Sequence, residues 1–214
     1  MEFENQIDSV VFREKEYQFT IKRGLDIVIS LIGIIMLLPL FVIIPILIKI
    51  DSDGPIIFRQ IRVGKDGKNF VIYKFRTMVS DADIKKEIEI PENIEDFVIQ
   101  EKNDIRITKL GELLRRSSLD EIPQLFNVLI GNMSIVGPRP EVPGIVKYFP
   151  EKYKQRVLVL PGITGLAQIN GRGELPLKKK VEYDLEYIQN FTVLLDIKII
   201  LKTIRYVLQQ EGAL

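Results

Sequence analysis

Ile27-Val28-Ile29-Ser30-Leu31-Ile32-Gly33-Ile34-Ile35-Met36-Leu37-Leu38-Pro39-Leu40-Phe41-Val42-Ile43-Ile44-Pro45-Ile46-Leu47-Ile48 is a run of 22 uncharged residues bounded by Asp26 and Lys49. As one straight helix it would measure roughly 33 Å at about 1.5 Å per residue, close to the hydrocarbon thickness of a bilayer. An ordinary spanning helix is the plainest account. Two features argue for another path. Pro39 and Pro45 lie inside the run, and each removes a backbone donor and collides with the preceding turn. Lys22 and Arg23 precede it while Lys49, Arg59 and Arg62 follow it, and positive charge on both flanks favours keeping both on the cytoplasmic side. A helix that enters, bends near Pro39 and returns to the same face satisfies both facts.

The run belongs to a chain of 214 residues, enough for one compact domain and an appendage. Hydrophobic residues make up 46% and charged residues 28%, a mixture suited to a soluble body joined to a lipid-facing segment. Net charge is +1, so a nucleic-acid partner, which needs a clustered basic surface, is not expected. There is no Cys and no His. That removes disulfides, thiolate metal sites, thiol nucleophiles, the usual general base and the Ser-His-Asp triad. An enzyme of this composition works with carboxylates, Lys, Arg, Tyr or hydroxyls, and its metal would be a hard one such as Mg²⁺.

Working outward from the run, residues 1–21 read as a polar leader, 22–50 as the re-entrant helix and 51–214 as a globular domain. Pro55-Ile56-Ile57-Phe58 and Phe70-Val71-Ile72-Tyr73 read as strands joined through a turn at Asp66-Gly67. Residues 79–104 hold nine acidic and three basic residues and read as a solvated segment without assigned structure. Thr108 is placed to cap a helix reaching about Arg116, and residues 122–130 continue as an amphipathic helix stopped by Gly131. Pro138, Pro140 and Pro143 stiffen the next stretch. Residues 161–173 read as a glycine-rich loop, and 192–210 as a basic amphipathic helix suited to a membrane surface or to the core.

Four clusters are candidates for chemistry. Ser118-Leu119-Asp120-Glu121-Ile122-Pro123 fits a capping box, the common use of Ser-x-x-Glu before an apolar run. Pro123 fits better if Asp120 is the cap, which leaves adjacent carboxylates at a positively polarised helix start. In Lys74-Phe75-Arg76-Thr77-Met78, alternation puts Lys74 and Arg76 on one face, and Arg115-Arg116 just precede the acidic pair. Exposed Lys and Arg are usually solvated surface, although Arg suits bidentate phosphate recognition. Gly137-Pro138-Arg139-Pro140 mounts a single Arg between residues of fixed φ. Gly162-Ile163-Thr164-Gly165, with Asn170-Gly171-Arg172, permits close backbone approach to a ligand.

Taken in order, the apolar segment with Pro39, Lys74-Phe75-Arg76-Thr77-Met78, Leu119-Asp120-Glu121, Val136-Gly137-Pro138-Arg139-Pro140 and Pro161-Gly162-Ile163-Thr164-Gly165 resemble one family, from about residue 22 onward. It is the bacterial sugar transferases, the monotopic phosphoglycosyl transferases or undecaprenyl-phosphate sugar phosphotransferases, in their minimal catalytic form. Where some members carry Ser-Pro at the bend, this chain has Leu38-Pro39. The resemblance implies an α/β fold: a re-entrant membrane helix, then a small cytosolic-facing α/β catalytic domain with interfacial amphipathic helices. It implies transfer of a sugar-1-phosphate from a UDP-sugar to polyprenyl phosphate at the cytoplasmic membrane, through a covalent phosphosugar. Asp120 would be the nucleophile, and Glu121 would help hold Mg²⁺. Lys74, Arg76, Arg115, Arg116, Arg139 and Arg172 become candidate phosphate or nucleotide contacts.

The composition agrees with that chemistry, because a carboxylate is ionised at neutral pH and attacks phosphorus without a general base. Expected partners are a UDP-sugar, polyprenyl phosphate and the bilayer, with a homodimer left open. Gly173-Glu174-Leu175-Pro176-Leu177 before Lys178-Lys179-Lys180 resembles members that use glucose or galactose. The rival readings are a non-catalytic membrane scaffold that regulates polysaccharide assembly and a glycosyltransferase that releases UDP.

Overall fold

A computed structural model defines residues 16–79, 94–98, 104–171 and 175–209, and the structural statements below concern these described residues. The chain opens with helices α1 (Glu16–Met36) and α2 (Leu38–Asp51), then the hairpin strands β1 (Ile57–Val63) and β2 (Asn69–Phe75). Helices α3 (Lys109–Arg116) and α4 (Gln124–Leu129) follow, then β3 (Ser134–Val136), single-turn helices α5 (Pro143–Val146) and α6 (Glu151–Lys154), and β4 (Gly162–Thr164). The chain closes with α7 (Leu177–Gln189) and α8 (Val193–Gln209). The expected mixture of helix and sheet is present.

The apolar run is not one straight helix. α1 and α2 meet at Leu37 with a bend of 60°, and no single described helix is long and apolar enough to cross a membrane. Pro39 causes the break. Its ring has no room for the carbonyl of Ile35 in a continuing helix, whereas at the start of α2 its missing N–H is not needed. Pro45 lies inside α2 without ending it. Below the bend, Phe41 packs its ring 5.9 Å from that of Phe75 and 5.5 Å from that of Phe126. The outer face stays bare, with Ile35, Met36, Leu38, Val42, Ile46 and Ile50 all more than half exposed.

The N-terminal flank corrects the charge argument drawn from sequence. Lys22 is buried, donates to the Val136 carbonyl at 2.8 Å and lies 2.6 Å from Asp196 Oδ2. Arg23 donates to the carbonyls of Val128 and Leu129 at 2.6 and 2.9 Å, satisfying the end of α4. Asp26 accepts from the Ile135 amide and the Ser134 hydroxyl. These groups bolt α1 to the globular body instead of standing free as membrane-flanking charge.

β1 and β2 pair antiparallel, from Ile57 opposite Phe75 to Val63 opposite Asn69. Asp66 and Gly67 take left-handed φ of 57° and 73° at the turn, as Asp-Gly favours. β3 and β4 form a second, parallel pair, with Ser134 opposite Gly162 and Val136 opposite Thr164. The stretch expected as loop from 161 to 173 therefore contains a strand, and α7 was not anticipated. The main core gathers Ile72, Val128, Met133, Val136, Phe191 and Ile199 from both sheets, from α4 and α8, and from the segments that connect them. A second cluster packs Ile44 and Ile48 of α2 on Phe75, Leu114 and Ile122, which sets the end of the bent pair beside the site. Of the acidic stretch 79–104, only 79, 94–98 and 104 are described, and Ile94–Asp96 forms one 3₁₀ turn.

Candidate active site

Thr108 caps α3 as expected, its hydroxyl accepting from the Gly111 amide at 2.9 Å. After α3 the chain reverses at Ser118, which takes a left-handed φ of 56°, and Leu119–Glu121 forms a 3₁₀ turn. Neither capping scheme drawn from sequence is realised. The Ser118 side chain caps nothing, and the N-terminal cap of α4 is Pro123, so the helix begins at Gln124 instead of continuing from 122. The physical reason is the left-handed Ser118, which spends the turn on aiming the acidic pair instead of starting a helix. Side-chain cations, not a helix dipole, neutralise the two carboxylates.

Lys74 on β2 supplies the first cation, with Nζ 2.7 Å from Glu121 Oε1 and 3.9 Å from Asp120 Oδ2. Arg139 supplies the second, donating from Nη2 to the same Glu121 oxygen at 2.7 Å. Burial alone would push Glu121 upward, but the charges and hydrogen bonds of Arg139 and Lys74 outweigh it and hold the carboxyl well below the usual range. Asp120 lacks such direct donors. Burial pushes it up to about 6, against the pull of Lys74 and with a further push from Glu121. The adjacent carboxylates thus differ: Glu121 is held ionised by two cations, and Asp120 is buried with its carboxyl pushed upward.

Three of the six basic residues singled out from sequence converge here: Lys74, Arg139 and Arg115. Arg115 donates from Nε to Thr77 Oγ1 at 2.9 Å, and its charge acts on Asp120. Arg76 goes elsewhere. β2 ends at Phe75, so alternation fails beyond it, and the buried Arg76 guanidinium donates to the Ser52 carbonyl and hydroxyl at 2.5 and 2.9 Å. It closes the end of α2. Arg116 pairs with Glu112 at 2.7 Å on the exposed flank of α3, and Arg172 lies outside the described residues.

Sequence reasoning missed a buried ionic cluster behind Arg139. Arg62 and Arg156 both approach Glu141, at 3.7 and 3.9 Å, and Arg156 pairs with Asp184 at 2.6 Å. Four charged residues dispersed over more than a hundred positions leave no local pattern to detect.

Mg²⁺ was expected here. Among the described residues no group of three or more His, Cys, Asp or Glu side chains stands ready to enclose a metal. The donors present are the hard oxygens of Asp120 and Glu121, with Glu121 Oε1 already shared by Lys74 and Arg139. Such a set fits an ion completed by ligand phosphates, the usual habit of Mg²⁺, and does not fit an all-protein cage.

Fold and site together define an α/β protein that gathers Lys74, Arg115 and Arg139 around a buried acidic pair, with an apolar bent helix pair packed beside it. The chain belongs to the bacterial sugar transferase family, whose sequence profile matches residues 17–210. It is 44% identical over 191 residues to the UDP-glucose:undecaprenyl-phosphate glucose-1-phosphate transferase of Klebsiella pneumoniae, covering 86% of this chain and 39% of that protein. It is 39% identical over 216 residues to the UDP-N-acetylgalactosamine-undecaprenyl-phosphate N-acetylgalactosaminephosphotransferase of Aeromonas hydrophila, covering 98% of this chain and 48% of that one. With the exopolysaccharide production protein PSS of Rhizobium leguminosarum bv. phaseoli it shares 40% over 195 residues, 86% of this chain and 93% of the relative. The chain spans less than half the length of the first two.

Proposed function

We propose that the protein transfers a hexose-1-phosphate from a UDP-sugar to polyprenyl phosphate, releasing UMP, through a covalent phosphosugar on Asp120. The observation that carries this reading is the Asp120–Glu121 pair held within reach of Lys74 and Arg139. It stands in a chain without His or Cys. The names of the relatives support the reaction class.

The steps follow from the charges. An Asp120 oxygen attacks the β-phosphorus, the bond to the bridging oxygen breaks, and its electron pair leaves with UMP. An oxygen of the polyprenyl phosphate then attacks the same phosphorus, and the acyl-phosphate bond breaks to restore the carboxylate. Both nucleophiles are anionic at neutral pH, so neither needs a general base. Lys74, Arg115 and Arg139 offset the negative charge that gathers around the diphosphate. Glu121, kept ionised, would hold Mg²⁺ together with phosphate oxygens, where the ion supplies further charge neutralisation.

The bare apolar face of the bent pair supports a re-entrant course through the cytoplasmic membrane, with both flanks on the cytoplasmic face. Exposed Leu194, Ile197, Leu201 and Ile204 on α8 support contact of that helix with the interface. Glucose or galactose is the proposed sugar, on the resemblance of residues 173–177, and polysaccharide assembly is the proposed use.

The test is a panel of UDP-sugars offered to detergent-solubilised protein with polyprenyl phosphate and Mg²⁺. UMP should be released with a hexose donor, and excess EDTA should stop it. Release of UDP would instead indicate simple glycosyl transfer, and no release with any donor would indicate a scaffold.

A further inference from the structure

Pro138 and Pro140 have no backbone N–H, so the segment carrying Arg139 cannot be fixed by its own donors at those positions. Its carbonyls are held instead, by four different partners. Gly162 N donates to Pro138 O at 2.9 Å, Arg156 Nη2 to Arg139 O at 2.8 Å, Arg62 Nη1 to Pro140 O at 3.0 Å and Val63 N to Glu141 O at 2.9 Å. Arg156 is the one that grips Arg139 itself.

Arg156 is in turn fixed from several sides. Its side chain is 4% exposed, Nη2 lies 2.6 Å from Asp184 Oδ2, and the guanidinium sits over the Phe149 ring at 5.7 Å. The Arg139 side chain, by contrast, is 43% exposed, and its hydrogen bonds among the described residues go to Glu121 alone. Its aim therefore depends on where its backbone is held. A buried ion pair is weak as a stabilising device, because desolvation offsets the attraction. The fork on the Arg139 carbonyl gives this one a second use.

We propose that Arg156 is a positioning residue, which through the Arg139 carbonyl sets the reach of the Arg139 guanidinium to Glu121. This rests on the transferase reading of the site, and the experiment separates the two. UMP release by the wild type is measured first, and its absence takes down both readings. With an active wild type, Arg156→Met should lower kcat/KM about tenfold or more, and Arg156→Lys should recover most of that loss. In an Arg139→Ala background the same Arg156→Met change should cost less than about twofold, since the aim it controls is already gone.

Asp184→Asn separates positioning from stability. It removes the carboxylate partner but leaves the guanidinium on the carbonyl, so kcat/KM should stay within about twofold while thermal stability shifts with the lost charge. If Arg156→Met alone does not fold, Arg156→Met with Asp184→Asn removes both charges together and carries the same cycle. Equal losses in both Arg139 backgrounds, or an activity that follows thermal stability across Arg156→Met and Asp184→Asn alike, would overturn the proposal.

Discussion

At the scale of single residues, adjacency conceals a division of labour. Asp120 and Glu121 are neighbours in sequence, yet Glu121 takes short contacts from two cations while Asp120 has Lys74 only at 3.9 Å. The less satisfied carboxylate is the better nucleophile, because fewer hydrogen bonds must break before it attacks. Asp120→Asn should therefore abolish the exchange of labelled UMP into UDP-sugar without lipid, and net transfer with it, by about a thousandfold or more. Substantial transfer by that variant would move the chemistry to direct attack by the lipid phosphate. Asp184 gives a prediction of another kind. Burial pushes its carboxyl up to about 6 although Arg156 pulls it down. The folded value thus lies above an unfolded value of about 3.9, so the stability it contributes is complete below that value. It is lost as pH rises through about 6. Between about pH 4 and pH 7 the wild type should lose ~1–3 kcal/mol of unfolding free energy relative to Asp184→Asn. Parallel denaturant curves across that range would show that Arg156 keeps the carboxylate ionised throughout.

Among the elements, the parallel pair β3 and β4 does more for the site than its short length suggests. β4 begins at Gly162, whose amide holds the Pro138 carbonyl, while Gly137 N donates to Thr164 O at 2.8 Å. The backbones cross so closely that a Cβ at Gly162 would meet the amide of Gly137 and the carbonyl of Thr164. Backbone cannot turn aside as a flexible side chain can. Gly162→Ala should thus cost ~2 kcal/mol or more in unfolding experiments, and should lower UMP release by displacing the mount of Arg139. A variant with unchanged stability and rate would mean the crossing has slack. The loss of Arg76 from the site belongs to this scale as well. The end of β2 at Phe75 turns its guanidinium to Ser52, where it ties the exit of α2 to the hairpin.

Over the whole molecule, the bent pair and the globular body are one packed unit. Lys22, Arg23 and Asp26 fasten α1 to α8, α4 and β3, and Ile44 and Ile48 tie α2 to the hairpin and α3. The two flanks of the apolar run are thus fixed to the same body, and a 60° bend packed on one side by Leu37, Leu40 and Phe41 joins them. Single cysteines at Tyr17 and Asp66 should both be protected from an impermeant thiol reagent outside intact cells, and both should react after permeabilisation. Labelling of the Tyr17 site alone from outside would restore a spanning helix. The same packing gives Lys22 and Arg23 partners within the protein, so the bend is a second and independent argument for the proposed one-sided access.

What the sequence determined by itself was whatever local stereochemistry forces. The local signals at Pro39, at Asp66-Gly67 and at Thr108 are realised as a helix break, a hairpin turn and a cap, and a chain without His or Cys is left with carboxylates, Lys, Arg, Tyr and hydroxyls. The order of the motifs also carried the family. Tertiary structure decided which charges meet. Lys74 and Arg76 looked equivalent along the chain, yet one reaches Glu121 and the other closes α2, because a strand end is set by its partner strand and not by alternation. The grip of Arg62 and Arg156 on the segment of Arg139 joins residues 78 and 17 positions apart, each ordinary in its own neighbourhood. Ion pairs and carbonyl contacts depend on distances of a few ångströms in space, and sequence spacing carries no record of them once the chain has folded back on itself.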